Sequence, residues 1–266
     1  MIKKSPLNYS GSKDKILPQI LNELPEDINT FVDAFGGAFN VGVNVNANKV
    51  IYNEINPYIY EIVKLLLTED KDKLINDIEK IIKDFNLEKK NKISYNKFRD
   101  YYNNMDKSPI NLYILSLYSF SNIIRFNKNQ EFNSSIGKQE YNKTIIDRIL
   151  NFKSESNKTV LYNLSYKDIP LDENCFFYFD PPYITTTGVY NETNRFGNGW
   201  TKNDEQELLD YIKILDNNNY KFMLSNVLKY KDKENTQLIN FINDNNFKLI
   251  NIGKYRTRQE VIIKNY

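Results

Sequence analysis

The 266 residues include no histidine, which removes imidazole both as a general base and as a zinc ligand. The single cysteine, Cys175, leaves no second thiol for a disulfide within the chain or for a thiolate metal site. Its place in the apolar run CFFYF suits an inert buried thiol rather than a nucleophile. No stretch reaches the ~18 consecutive apolar residues of a membrane-spanning helix, and the start MIKKSPLNYS has no apolar signal-peptide core. The chain therefore reads as cytoplasmic, with no metal and no membrane partner. A strong net charge is also missing: 36 basic residues face 34 acidic ones, a balance of +2. Basic side chains are available for phosphate contacts, but the balance alone does not establish a polyanionic partner.

What is present is ordinary for a globular protein, with 41% apolar and 26% charged residues. The length suits one large domain, or one domain carrying an insertion. Short apolar runs bounded by polar or turn residues predict strands at 30–35, 49–55, 159–164, 175–180 and 221–227, with two more around a basic turn in the last twenty residues. Helical periodicity lies between several of them, at 12–24, 57–67 and 201–217. In the last of these Thr201 or Asn203 can cap the N-terminus, and acids in the first turn meet the helix dipole. Such alternation predicts an α/β fold with a mostly parallel sheet and helices on both faces. The stretch 57–158 breaks the rhythm: it is rich in Lys, Asn and Tyr and mainly helical. It reads as a domain inserted between two parts of the sheet domain, 1–56 and 159–266.

Three strand ends carry acids. In FVDAFGGAFNVG, Asp33 closes the first strand, and Gly36 and Gly37 permit a tight turn with close backbone approach to a ligand. Glu54, in YNEIN, closes the second strand 21 residues later, where such folds hold ribose hydroxyls. A plain turn and a solvated loop acid are the alternatives. The loop is not G-x-G-x-x-G, so a nucleoside cofactor without a pyrophosphate is favoured over a nicotinamide dinucleotide. The fourth strand ends in Asp180-Pro181-Pro182-Tyr183. Two prolines donate no N–H and stiffen the turn. One carboxylate and the Pro181 carbonyl form a pair of acceptors for an –NH₂ group, and Tyr183 offers a flat face to a planar ring. Together they describe a pocket for a nucleobase amine.

In this order the motifs NYSGSK, FVDAFGGAFNVG, NEIN and DPPY, followed by EVIIKNY at the last strand, resemble Dam-type (D12 class, alpha group) DNA adenine N(6)-methyltransferases over nearly the whole chain. YNKFRDYYN and IRFNKNQEFNSSIGK resemble the target-recognition domain of that family. The resemblance implies a Rossmann-like class I methyltransferase sheet with an inserted, mainly helical recognition domain, and S-adenosyl-L-methionine as cofactor. It also implies that Tyr9 and Lys13 meet the methionine and adenine parts of that cofactor, that Asp33, Phe35, Gly36 and Gly37 line its site, that Glu54 holds its ribose, and that Asp180 lies close to both substrates. In the recognition domain it implies DNA contacts from Asn8, Phe120, Ser121, Ile123, Arg125, Asn127, Asn133 and Lys138. Phe120 falls at the place of a wedge into the base stack, Ile123 near a thymine methyl and Arg125 against a guanine. Core roles for Phe120 and Ile123 and a phosphate clamp for Arg125 are the open alternatives. Phe39 stands where many members have a third glycine, Asn8 where GATC-specific members often have lysine, and Ser135 where a proline is common.

The expected reaction moves a methyl group to the 6-amino group of an adenine flipped out of double-stranded DNA, at a short site such as GATC. The setting stays open between a restriction-modification system with a cognate restriction endonuclease, a phage and a solitary regulatory enzyme, and a monomer or weak dimer is expected. Against it stand a methyltransferase acting on a cytosine amine or on RNA, and a non-catalytic DNA-binding protein that keeps the fold.

Overall fold

A computed structural model describes residues 2–9, 11–184, 199–255 and 258–266; the middle of the expected basic turn, at 256–257, lies outside them. Among the described residues there are eight strands, seven of them at the apolar runs and β6 outside them: β1 Thr30–Asp33, β2 Lys49–Asn53, β3 Lys158–Tyr162, β4 Cys175–Phe179, β5 Lys221–Tyr230, β6 Lys233–Glu234, β7 Lys248–Tyr255 and β8 Arg258–Lys264. They form one sheet in the order β3-β2-β1-β4-β5-β8-β7, with β6 paired to β5. The first five strands pair in parallel, while β8 runs antiparallel to both β5 and β7. Every residue of β1 and of β4 is buried, as expected for central parallel strands covered on both faces. The mostly parallel α/β sheet predicted from the alternation is the observed one.

Helices are α1 Leu17–Asn22, α2 Pro57–Thr68, α3 Lys71–Asp84, α4 Lys92–Asn104, α5 Pro109–Tyr118, α6 Lys143–Asn151, α7 Lys202–Asn217 and α8 Thr236–Asn245. The helix predicted over 12–24 shrinks to α1, because Pro18 lacks an N–H and is accommodated only in a first turn. α7 starts where its sequence says: the Thr201 side chain accepts from Asp204 N–H and the Asp204 side chain accepts from Thr201 N–H, closing a capping box. Neither α8 nor β6 was marked by periodicity. The predicted strand at 30–35 stops at Asp33, since the chain turns toward Gly36, although Ala34 N–H still donates to Tyr178 C=O at 3.0 Å.

The described residues divide into two compact units. One comprises 13–55 with the chain from 154 onward and contains the sheet, α1, α7 and α8. One apolar core joins Val32, Phe177, Phe179 and Leu224 on the sheet to Leu208 and Ile212 of α7 and Leu238 of α8. The other unit comprises the residues up to 12 with 56–153, and contains α2 to α6. All residues from Asn111 to Tyr118 of α5 are buried, so α5 is its central helix. Side chains of Asn56, Asp70, Asn91 and Asn142 accept backbone N–H bonds at the starts of α2, α3, α4 and α6. Among the described residues no helix is long and apolar enough to cross a membrane.

Candidate active site

The parallel register brings Asp33 of β1 level with Tyr52 of β2 and Tyr178 of β4, so the residues after these strands emerge together at the carboxyl end of the sheet. Asp33 is 2% exposed, and its Oδ2 accepts from Gly42 N–H at 3.1 Å. Burial pushes its pKa up to about 7 against the lowering effect of the Gly42 N–H; the nearby charges of Asp180 and Glu54 raise it further and Lys13 lowers it.

The turn after β1 is built around glycine. Gly36 N–H donates to Asn53 C=O at 2.8 Å, and a Cβ on Gly36 would stand 2.4 Å from the Tyr52 ring. Gly37 has φ 48°, its N–H donates to Glu54 Oε2 at 2.9 Å, and its carbonyl accepts from Tyr52 Oη at 2.8 Å. Glu54 thus ties the glycine turn to the end of β2. Phe39 explains the missing third glycine. It adopts φ 63° as a glycine would, but its ring is fully buried and meets Tyr52 edge-on at 4.9 Å. The room is supplied by Gly42, where a Cβ would lie 2.2 Å from the Phe39 ring.

Asp180 follows β4 directly. Lys13 Nζ lies 2.5 Å from its Oδ2, and Tyr183 Oη donates to its Oδ1 at 2.8 Å. Lys13 also stands over the Tyr183 ring, 5.0 Å from the centroid. Tyr183 is 3% exposed, and its hydroxyl donates to Asp180. Asp33, Glu54, Asp180 and Lys13 therefore form one cluster with the glycine turn. Among the described residues no three of His, Cys, Asp or Glu are arranged to hold a metal ion. A buried carboxylate beside a turn built on glycine suits the hydroxyls of a nucleoside.

Two asparagines that were given no role of their own fix this cluster. Asn53 Nδ2 donates to the carbonyls of Ala34 at 3.0 Å and Leu164 at 3.1 Å, and its Oδ1 accepts from Leu164 N–H at 3.1 Å. Asn163 Nδ2 donates to the carbonyls of Glu54 at 2.6 Å and Ile55 at 3.0 Å. These bonds hold the ends of β1, β2 and β3 in one frame. Phe35 lies in an aromatic group with Tyr166 at 5.2 Å and Trp200 at 5.8 Å. An asparagine beside a strand end reads as an ordinary turn residue, so sequence offered little signal for Asn163, and in NEIN attention falls on Glu54 rather than on Asn53.

The other predicted residues lie in the helical unit. Asn8 Oδ1 accepts from Arg148 Nη1 at 3.1 Å, and Tyr9 C=O accepts from Ser12 N–H at 3.2 Å. After α5 comes a 3-10 turn, Phe120–Asn122, in which Ser121 has φ 55° and Asn122 has φ 56°. Asn122 Nδ2 closes α5 by donating to the carbonyls of Ser116 at 3.0 Å and Leu117 at 3.3 Å. Phe120 is 59% exposed, so it is not a core residue. Beyond it the chain alternates: Asn122, Ile124 and Phe126 are buried, Ser121 and Arg125 are exposed and Ile123 is half-buried. Isolated bridges pair Ser119 with Ile136 and Phe126 with Phe132, making a hairpin. Arg125 Nε donates to Asn133 Oδ1 at 2.9 Å and Nη2 to Asn133 C=O at 3.2 Å. Asn127 closes the tip through Glu131, whose N–H donates to Asn127 Oδ1 at 3.0 Å. Lys138 is exposed just past the hairpin.

Residues 9–258 match the family described as D12 class N6 adenine-specific DNA methyltransferase. The chain is 45% identical to "Modification methylase LlaI" of Lactococcus lactis subsp. lactis, over 99% of this chain and 43% of that protein. It is 39% identical to "Type II methyltransferase M.FokI" of Planomicrobium okeanokoites, again over 99% of this chain and 43% of the relative. A "DNA adenine methylase" of Vibrio cholerae is 26% identical over 77% of this chain and 74% of its own length. The chain thus spans 43% of the length of the first two relatives.

Proposed function

The chain belongs to the D12 class of N6 adenine-specific DNA methyltransferases, and from that premise we propose that it transfers a methyl group from S-adenosylmethionine to the 6-amino group of an adenine in double-stranded DNA. The observation that carries this reading is the position of Asp180: directly after β4, in one cluster with Asp33 and Glu54, and oriented by Lys13 and Tyr183. The bound cofactor supplies an electrophilic methyl on a sulfonium. In this reading the glycine turn and Phe35 seat it, Glu54 accepts from its ribose hydroxyls, and Tyr9 and Lys13 meet its methionine and adenine ends.

The amine of adenine is a weak nucleophile because its lone pair is delocalised into the ring. Asp180 and the Pro181 carbonyl accept its two N–H bonds, favouring the pyramidal nitrogen as charge develops. Lys13 and Tyr183 each hold one oxygen of Asp180, so an arriving amine takes over part of that coordination. When bound, the cofactor would supply the methyl group and leave as a thioether keeping the sulfur–carbon bonding pair, while Asp180, the Pro181 carbonyl or water would take the amine proton. Because the amine is out of reach in a stacked duplex, the adenine flips into the pocket and Tyr183 flanks its ring.

The helical unit serves as recognition domain. Exposed Phe120 enters the stack, Ile123 meets a thymine methyl and Arg125 reads a guanine in the major groove, with Asn8, Ser121, Asn127, Asn133 and Lys138 along the same interface. The alternation that turns Ser121 and Arg125 outward supports this assignment. A short adenine-containing site such as GATC fits it, and names such as modification methylase among the relatives support a role beside a restriction endonuclease. The decisive experiment is methylation-sensitive sequencing of DNA incubated with the purified protein and S-adenosylmethionine. N6-methyladenine in one sequence context is expected; methylated cytosine, or no modification, overturns the reading.

A further inference from the structure

Glu205, in the first turn of α7, has no exposed surface. Its Oε2 accepts from Trp200 Nε1–H at 2.7 Å, and its Oε1 accepts from Asn226 Nδ2 at 3.1 Å and Asn235 Nδ2 at 2.8 Å. The neighbouring buried residues of α7 are Leu208, Leu209 and Ile212, so an apolar side chain at 205 would complete the stripe without burying an acid. The acid is there to hold something.

Two of its three donors are tied down by other bonds. Asn235 caps α8 through Leu238 N–H, and Asn226 Oδ1 accepts from the N–H of Val227 on β5. The third, Trp200, sits in the irregular segment ahead of α7, and its indole meets Phe35 edge-on at 5.8 Å and 82°. Phe35 stands between Asp33 and Gly36, the two residues that shape the turn after β1. A continuous line thus runs from a fixed carboxylate through one indole to the glycine turn.

We propose that Trp200 is a positioning residue for the cofactor: Glu205 fixes the indole, and the indole fixes Phe35 as one wall of the crevice. The inference rests on the reading that this crevice takes S-adenosylmethionine. In this role Trp200 sets affinity for the cofactor and leaves the transfer step alone.

The test compares Trp200→Ala and Trp200→Phe with wild type, all in the full chain, by calorimetry with S-adenosylmethionine and by methyl transfer at saturating DNA. Trp200→Ala raises Kd and KM for the cofactor about tenfold while kcat stays within about twofold, and Trp200→Phe, which still fills the space beside Phe35, recovers to within about threefold. Glu205→Gln, which keeps one acceptor oxygen for the indole, falls between wild type and Trp200→Ala in cofactor affinity. Trp200 is the only tryptophan, so wild-type emission changes on adding the cofactor. An unchanged Kd in Trp200→Ala, a lowered kcat with unchanged KM, or wild-type emission blind to bound cofactor each overturns the proposal. If wild type itself gives no heat with S-adenosylmethionine, the cofactor reading falls and this one falls with it; if wild type binds and Trp200→Ala binds equally, only this one falls.

Discussion

Asp180 has two duties that a single substitution confounds. It is the proposed acceptor for the adenine amine, and it is also the ion-pair partner of Lys13, which is only 6% exposed. Removing one member of a buried pair leaves the other charge poorly compensated, a cost that reaches about 3–5 kcal/mol. Asp180→Ala is therefore expected to lower turnover by at least roughly 10²–10³-fold and also to lower the melting temperature. Adding Lys13→Met to that variant should restore much of the stability and none of the turnover. Labelled-methyl transfer and thermal denaturation on the single and double variants check this; turnover near wild type in either one removes Asp180 from the chemistry. The chemistry of Asp180 was legible because few uses exist for an acid at a strand end followed by two prolines. Its pairing with Lys13 was not, since 167 residues of sequence separate them and only the fold brings them together. Glu205 misled for a different reason. An acid in the first turn of a helix reads as a partner for the dipole, and nothing local reports that this one is buried under an indole.

At the scale of the element, the hairpin after α5 is where sequence preference has to be decided. Asn133 braces the Arg125 guanidinium through Nε and Nη2, which lowers the entropy lost when the arginine binds a flat, bidentate target. A guanine-reading arginine contributes about 1–3 kcal/mol of discrimination, whereas a phosphate clamp lowers affinity for all sequences and reduces the salt slope by about one. Arg125→Ala is accordingly expected to relax preference at one guanine position. Methylation of oligonucleotides varied base by base at fixed salt is the assay, and an equal loss on every duplex makes Arg125 a backbone contact. Among the elements, the strands other than β6 were legible because each holds a short apolar run with polar ends. α8 was not: asparagine is a poor helix former, and the ten-residue segment TQLINFINDN earns its helix from Asn235 at its cap and from Leu238, Phe241 and Ile242 packed inward. The hairpin escaped strand prediction because its β-pairing is confined to isolated bridges.

For the whole molecule, Asp33 sets a pH dependence of stability. Its pKa rises from 3.8 to about 7 on folding, chiefly through burial. The native state thus keeps a proton that the unfolded chain loses, so stability from this group is complete below about pH 4 and declines as pH rises toward 7. Above pH 7 the accumulated loss is on the order of 4 kcal/mol. Asp33→Asn keeps an oxygen for Gly42 N–H and does not titrate. Its melting temperature relative to wild type should therefore climb between pH 4 and pH 7 and then level off; a difference that stays constant across that range refutes the assignment. The sheet order has a different consequence, in time. β1 lies between β2 and β4, and Thr30 pairs with Cys175, about 145 residues further along the chain. At roughly 5–20 residues per second, a ribosome takes about 7–30 s to deliver that neighbour. Throughout that interval the flank of β1 that will receive β4 has nothing to pair with, while the five consecutive helices from α2 to α6 emerge one after another. The nascent chain thus carries an apolar parallel strand in waiting, and chaperone demand should peak in that window and end when β4 clears the exit tunnel.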